Sequence, residues 1–278
     1  MTRVAAIDLG TNTTRLLVAD VEDGTVEAVV RRSAVTRLGE GVDRGRVLQP
    51  AAVERVFAVL AGFQREADAL GAERALAVGT SAVRDARNGS CFLAEIERRF
   101  GCSTRIVSGS EEAELSRRGV GLLPATTLLL DVGGGSTELV FGEMRTSLQV
   151  GSVRLTERHL RSDPPTRAEL DAAAVHVRSV LPRLEPDATI GVAGTVHQLE
   201  QLLGRITLAE VDAELDRLAS LPLAARRRVP RLDPDRAPTI VAGALIVAEV
   251  LRRYALPEIV FSVRDLLDGI ALEVAKRE

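Results

Sequence analysis

Two strands of this chain end in the same way. Ile7-Asp8-Leu9-Gly10-Thr11-Asn12-Thr13 and Leu130-Asp131-Val132-Gly133-Gly134-Gly135-Ser136-Thr137 each carry an apolar strand into Asp-x-Gly and turn back through hydroxyl residues into a second strand. A second echo follows each at a nearly equal offset: strand Ala75 to Val78 runs into Gly79-Thr80-Ser81, and strand Ala188 to Val192 runs into Ala193-Gly194-Thr195. A motif pair repeated in order is one supersecondary plan used twice. The 278 residues are enough for two such domains and too many for one ordinary core. The reading is therefore an α/β fold of two duplicated lobes, residues 1–122 and 123–264, on either side of a central interlobe cleft.

The local patterns support that plan. In the first lobe Val4 to Asp8, Arg15 to Asp20 and Thr25 to Arg32 read as a strand meander, the last two joined by the hairpin signal Glu22-Asp23-Gly24-Thr25. Pro50 opens an amphipathic helix with Val53, Val56, Phe57, Leu60, Phe63 and Leu70 at helical spacing. Strand 74–78, helix 91–100, strand 104–107 and a helix from about Ser110 complete the half. The second half begins again with strands 127–131, 136–141 and 146–150. Thr166 and Glu169 form a capping box for a helix to about Leu181. Strand 188–192, helices 196–203, 209–220 and 238–253, strand 258–262 and helix 265–276 follow.

Composition removes several function classes. Hydrophobic residues at 46% and charged residues at 27% are those of a globular protein. The chain has no uninterrupted apolar run of the roughly 18 residues that a membrane helix needs, and its first residues lack a signal-peptide core. The expectation is a cytoplasmic protein without a membrane partner. A net charge of -3 offers no basic field for a nucleic acid polymer. Cys91 and Cys102 lack metal-ligand spacing and read as reduced thiols. Lys276 is the single lysine, which closes the Walker-type route to phosphate, since that loop needs Gly-Lys-Ser/Thr.

Phosphate must then be met by backbone. A strand that ends in Asp-x-Gly and hairpins back leaves N–H groups without ladder partners, and glycine lets them approach an anion. Gly10, Thr11, Asn12 and Thr13 form one such cradle; Gly133, Gly134, Gly135, Ser136 and Thr137 form the other; Gly194 and Thr195 add a third turn. Asp8 and Asp131, at equivalent strand ends, could each ligate a magnesium ion or hold one of its waters. Glu138 is a further carboxylate for the same cation, or a solvated strand residue. Glu111 and Glu112 open a helix, where carboxylates offset the macrodipole. They point about a hundred degrees apart, so one could act as a base toward water, and spacing alone does not choose between them. Arg84 could clamp a phosphate bidentately or be an ordinary helix-start arginine. The run Arg226-Arg227-Arg228 reads as a solvated face or a polyanion contact, and His159, His176 and His197 as structural residues.

Taken in order, Ala6-Ile7-Asp8-Leu9-Gly10-Thr11-Asn12-Thr13, Val78-Gly79-Thr80-Ser81-Ala82-Val83-Arg84, Ser108-Gly109-Ser110-Glu111-Glu112-Ala113, Asp131-Val132-Gly133-Gly134-Gly135-Ser136-Thr137-Glu138 and Val192-Ala193-Gly194-Thr195 resemble the exopolyphosphatase and guanosine pentaphosphate phosphohydrolase family. The resemblance covers essentially the whole chain. It implies two actin-like, ribonuclease H-like lobes with the final helix, about 265–278, packed back on the first. It implies removal of the terminal phosphate of inorganic polyphosphate or of guanosine pentaphosphate. It assigns the catalytic role to Glu112 and a magnesium ion to Asp131, with Asp8 and Glu138 by association. A homodimer is also a family-level expectation.

Three departures bear on that picture. Long members carry C-terminal helical domains that this chain lacks, which argues against processive action on long chains. The stretch from Leu203-Gly204 to Ala209-Glu210 is short for the family, and Val263 stands in Ser262-Val263-Arg264-Asp265 where relatives often have an acidic residue. The rival readings are a sensor that binds polyphosphate or alarmone without turnover, and an actin-fold kinase that uses ATP.

Overall fold

The structure is a computed structural model and describes residues 1–276. The chain divides into two compact units, Met1–Leu122 together with the segment from Arg264 onward, and Leu123–Val263. The first unit opens with β1 (Thr2–Leu9), β2 (Thr13–Glu22) and β3 (Thr25–Val35), then α1 (Val42–Gly45), α2 (Pro50–Ala69), β4 (Arg74–Gly79), α3 (Ser81–Asp85), α4 (Gly89–Phe100), β5 (Ser103–Ile106) and α5 (Gly109–Val120). The second contains β6 (Thr127–Val132), β7 (Thr137–Phe141), β8 (Met144–Leu148), α6 (Ser152–His159), α7 (Arg167–Val180), β9 (Ala188–Val192), α8 (Ala193–Leu203), α9 (Leu208–Ser220), α10 (Leu223–Arg226), α11 (Ile240–Tyr254) and β10 (Val260–Phe261). Helix α12 (Leu266–Lys276) returns to the first unit.

The two sheets share one topology. Their orders are β3-β2-β1-β4-β5 and β8-β7-β6-β9-β10. In each, the meander strands pair antiparallel, and the last two strands join the first in parallel. This is the arrangement of the actin-like fold.

Strand β1 is apolar throughout because both of its faces are covered. Ala5, Ile7 and Leu9 pack with Leu16 and Val18 against Phe57, Leu60 and Phe63 of α2 and Phe92 and Ile96 of α4. Val4 and Ala6 pack with Leu17 and Ala19 against Leu115 of α5 and Leu266, Ile270 and Val274 of α12. The period of two along a strand carries Asp8 and Arg15 onto this second face, where they are register partners. Helices α5 and α12 meet backbone to backbone. A Cβ on Gly119 would lie 1.8 Å from the Asp265 carbonyl oxygen, and one on Gly269 would lie 2.0 Å from that of Leu115. In the second unit, Leu128, Leu130 and Val132 of β6 anchor the core with residues of α7, α8, α9 and α11. Helix α11 is apolar on nearly every side because it is buried on nearly every side. No helix among the described residues is long and apolar enough to cross a membrane.

Sequence periodicity misses α6. Its eight residues SVRLTERH carry only Val153 and Leu155 as apolar positions, spaced as in a strand, so nothing local announces a helix. The strand expected over 258–262 shrinks to β10, because Ile259 is instead bridged to Ile206.

The helix crossing sets a direct test. Gly269→Ala is expected to destabilise by about 1–3 kcal/mol, since the obstructing atom is backbone and cannot turn aside. Gly62→Ala within α2 meets nothing within 4 Å and is expected to stabilise by about 0.5–1 kcal/mol through helix propensity. Urea midpoints of the two variants decide both.

Candidate phosphate-binding site

The equivalent turns are built alike. Gly10 N–H donates to Thr13 O at 3.1 Å, and Gly133 N–H donates to Ser136 O at 3.0 Å. One constant offset relates Asp8, Gly10, Thr13 and Arg15 to Asp131, Gly133, Ser136 and Glu138. Most of the remaining turn carbonyls are claimed by the chain itself. Asn12 O accepts from Thr36 N and Arg37 N at 3.0 and 2.9 Å, and Thr11 O from Gly39 N at 2.7 Å. In the second unit Gly133 O accepts from Ser152 N at 2.9 Å, and Gly134 O from Val153 N and Arg154 N at 2.8 and 3.1 Å. The Arg154 Nε–H adds a bond of 2.6 Å to Gly135 O. The N–H groups of Thr11, Asn12, Gly134 and Gly135 make no backbone bond among the described residues. Donors without backbone acceptors, on turns whose carbonyls are mostly used, make an anion nest.

The first turn of helix α6 therefore braces the triple-glycine loop from behind. Gly151 is required there, because a Cβ would come within 2.6 Å of Gly134 O and Ser136 N. Gly39 has the same role in the first unit, with Thr11 Cγ2 2.2 Å from its would-be Cβ.

Asp8 and Asp131 fall at the carboxyl ends of the parallel strands, where open α/β sheets bind ligands. Asp131 and Glu138 are buried and directly opposed across β6 and β7. Glu138 Oε1 accepts a hydrogen bond of 2.6 Å from Ser147 Oγ. Asp8 Oδ2 accepts from Arg15 Nε–H at 2.9 Å, whose Nη1 is paired in turn with Asp265. Asp8 Oδ1 is buried with no hydrogen-bond partner. Burial pushes the Asp8 carboxyl above the ordinary carboxylate range against the pull of Arg15, and Asp265 adds to the push.

The adjacent glutamates have separate environments. Ser108 Oγ accepts from Glu111 N at 3.2 Å while Glu111 Oε2 accepts from Ser108 N at 2.7 Å, so Glu111 is spent on the capping box of α5. Glu112 is buried and its Oε2 receives Arg84 Nη1–H at 3.0 Å. Arg84 Nη1 also donates to Val107 O at 2.8 Å, and its buried Nη2 has no partner. Val107 N–H in turn donates to Gly79 O at 3.1 Å, which ties the ends of β4 and β5 together.

In the second unit β9 ends beside Asp131 at Val192, and Ala193 takes a positive φ of 63° into Gly194. The Arg236 guanidinium lies against Gly194, with Nη2 2.4 Å from a would-be Cβ. Thr195 is buried, and Gly243 of α11 leaves the space its methyl occupies.

Thus Asp8, Gly10 to Thr13, Arg84 and Glu112 gather at one edge of the first unit. Asp131, Gly133 to Thr137, Glu138, Gly194 and Thr195 gather at one edge of the second. Among the described residues no three carboxylate, imidazole or thiolate groups form a ready metal cage. Sequence reasoning missed Arg15, Asp265, Arg154 and Arg236. Arg15 was recoverable from hairpin register, because a Gly10–Thr13 closure sets it opposite Asp8; Asp265 lies in the motif Ser262-Val263-Arg264-Asp265 without an assigned role, and Arg154 and Arg236 carried no local signal. Arg226 is a structural residue rather than a polyanion contact, buried and bonded to the carbonyls of Leu218, Leu221 and Ala237 at 3.0, 2.8 and 3.2 Å. His159 and His176 pair at 2.7 Å. Both cysteines are free.

Duplicated sheets with glycine-rich nests and strand-end carboxylates define a phosphate-handling protein of the actin-like class. The chain belongs to the Ppx/GppA phosphatase family, which it matches over residues 17–278. It is 36% identical to Exopolyphosphatase 2 of Mycobacterium tuberculosis, with 99% of each chain covered. It is 28% identical to the guanosine-5'-triphosphate,3'-diphosphate pyrophosphatase of Vibrio atlanticus, covering 97% of this chain and 59% of that one. A crystal structure of an exopolyphosphatase-like protein superposes with a TM-score of 0.92 at 32% identity, covering 98% of this chain and 97% of that one. Hydrolases of this family are typically metal-dependent.

The capping box gives a pH test. The Ser108 hydroxyl and amide hold the Glu111 carboxyl below the ordinary range. Its contribution is therefore present above the unfolded-state pKa and lost as pH falls through the depressed value. Ser108→Ala is expected to cost about 1 kcal/mol at neutral pH, and the gap to wild type should shrink below about pH 4. Urea unfolding at both pH values measures it.

Proposed function

We propose that this chain hydrolyses terminal phosphoanhydride bonds, releasing phosphate from inorganic polyphosphate, guanosine pentaphosphate or both, in the cytoplasm and with magnesium. The observation that carries the reading is the buried Glu112 beside Arg84 at the strand edge that also holds a nest of free N–H groups. In this reading Glu112 orients the attacking water and takes its proton. The N–H groups of Thr11, Asn12, Gly134 and Gly135 receive phosphate oxygens, with Gly10, Thr13, Gly133, Ser136, Thr137, Gly194 and Thr195 shaping the turns, and they stabilise the charge of the transferred group. Arg84 Nη2 is a further donor to a phosphate oxygen. No covalent intermediate is needed.

The carboxylates fit a hard cation. Asp131 and Glu138 are buried opposite one another and offer carboxylate oxygens of the kind magnesium takes. The unpartnered Asp8 Oδ1 is an oxygen of the type magnesium or its water takes. Asp131, Glu138 and Asp8 would hold the ion, which neutralises phosphate oxygens when bound. The partner is the phosphate chain itself, without nucleic acid polymer or membrane, and the working form is a homodimer.

A second reading, a sensor that binds without turnover, draws on the Arg84–Glu112 ion pair, since a paired carboxylate is a weaker base. Phosphate release from long polyphosphate, short polyphosphate, guanosine pentaphosphate and ATP, with magnesium, separates the two. Wild type is expected to hydrolyse at least one of the first three, and Glu112→Gln and Asp131→Ala to lose about a hundredfold or more. Binding of polyphosphate or alarmone with no release by wild type would establish the sensor instead.

A further inference from the structure

Arg226 is the buried anchor of a segment whose other arginines are spent differently. Arg227, Arg228 and Arg231 are exposed, and among the described residues their side chains make no hydrogen bond or ion pair. Positions 226 to 236 hold five arginines against two aspartates, Asp233 and Asp235. Asp233 Oδ1 accepts from Asp235 N–H at 2.9 Å, and its Oδ2 lies 3.9 Å from Arg236 Nε. Charges that find no partner in their own chain are open to an anion from outside.

The segment is tied to the phosphate site. Gln198 of α8 is buried and uses both ends of its amide on it: Nε2 donates to Arg231 O at 2.7 Å, and Oε1 accepts from Asp233 N–H at 3.0 Å. Gln198 stands about one helical turn after Gly194, and Arg236, at the far end of the segment, lies against that glycine.

The backbone at Arg231 is strained. Leu232 N–H donates to Val229 O at 3.2 Å across Pro230 and Arg231, and Arg231 has a φ of 68°. A turn with proline second and a left-handed third residue is of type II, whose third position favours glycine. A Cβ there is unfavourable, and such outliers collect at ligand clamps. The arginine weakens its turn and supplies the third unpaired charge.

We infer that Arg227, Arg228 and Arg231 form a subsite for the distal phosphates of an inorganic polyphosphate chain whose terminal phosphate lies at the glycine turns. The inference rests on the phosphohydrolase reading above and names its substrate class. A polyphosphate carries charge along its whole length, which suits guanidinium groups set beyond the turns. Guanosine pentaphosphate carries its charge in two short groups on one ribose.

The test is the initial rate of phosphate release by the full chain with magnesium, from long polyphosphate, tripolyphosphate and guanosine pentaphosphate, at low and high salt. Binding of long polyphosphate and of single-stranded DNA is measured alongside. The triple variant Arg227→Gln, Arg228→Gln, Arg231→Gly is expected to raise KM for long polyphosphate about tenfold at low salt, the sum of three exposed charge contacts, and to leave kcat and the KM of both short substrates within about twofold. High salt should close that gap. Arg231→Gly alone should raise the same KM about two- to threefold without lowering the urea midpoint, because it also relieves the turn. An unchanged KM for long polyphosphate in the triple variant overturns the inference. So does an equal rise for tripolyphosphate, which would put the effect at the turns themselves. Lost DNA binding with polyphosphate binding kept would make the segment a nucleic-acid contact instead. If wild type releases phosphate from none of the three, the parent reading fails and binding decides the subsite alone. Long polyphosphate bound by wild type, and about tenfold more weakly by the triple variant, then upholds it, and equal binding refutes it.

Discussion

Most carbonyl oxygens of both strand-end turns are taken up by N–H groups of the segments behind them, Thr36 to Gly39 in one unit and Ser152 to Arg154 in the other. Everything else at the site depends on that division of labour. A peptide turn has equal numbers of donors and acceptors, and binding an anion needs the donors alone to face the ligand. Two unrelated stretches of chain, one irregular and one helical, perform this service in the two units. Each brings a glycine, Gly39 or Gly151, to within a distance no Cβ could share. Close packing of this kind restricts the turn's conformational freedom, which lowers the ordering cost of meeting an anion.

The duplication is close in backbone and unequal in chemistry. The residue opposite the strand-end aspartate is Arg15 in the first unit and Glu138 in the second. One aspartate is partly neutralised by its neighbour, and the other is joined by a second negative charge. Identical turns consequently sit beside different local charges. A shared fold constrains the path of the chain and leaves the electrostatics free to diverge.

What was legible in the sequence was local or repeated. The Asp-x-Gly turns, the capping box at Thr166 and Glu169, and the strands around them follow from residues within a few positions, and the repeat carried the plan of the sheets. Helix α6 was not legible, because its first turn is organised by bonds to a loop far upstream rather than by an apolar stripe. The different environments of Glu111 and Glu112 are visible only once Ser108 is seen to bond the first and Arg84 the second. Arg15 and Asp265 are 250 positions apart, and no short-range pattern encodes such a pair. Arg226 misled for the converse reason: a charge run suggests solvent, whereas this guanidinium substitutes for water at three buried carbonyls.

The near-absence of lysine has a consequence for the site's behaviour in alkali. Every side-chain cation described at the turns, Arg15, Arg84, Arg154 and Arg236, is a guanidinium, which keeps its proton throughout the range in which proteins stay folded. Among the described residues the turns therefore carry no ammonium group that alkali could discharge.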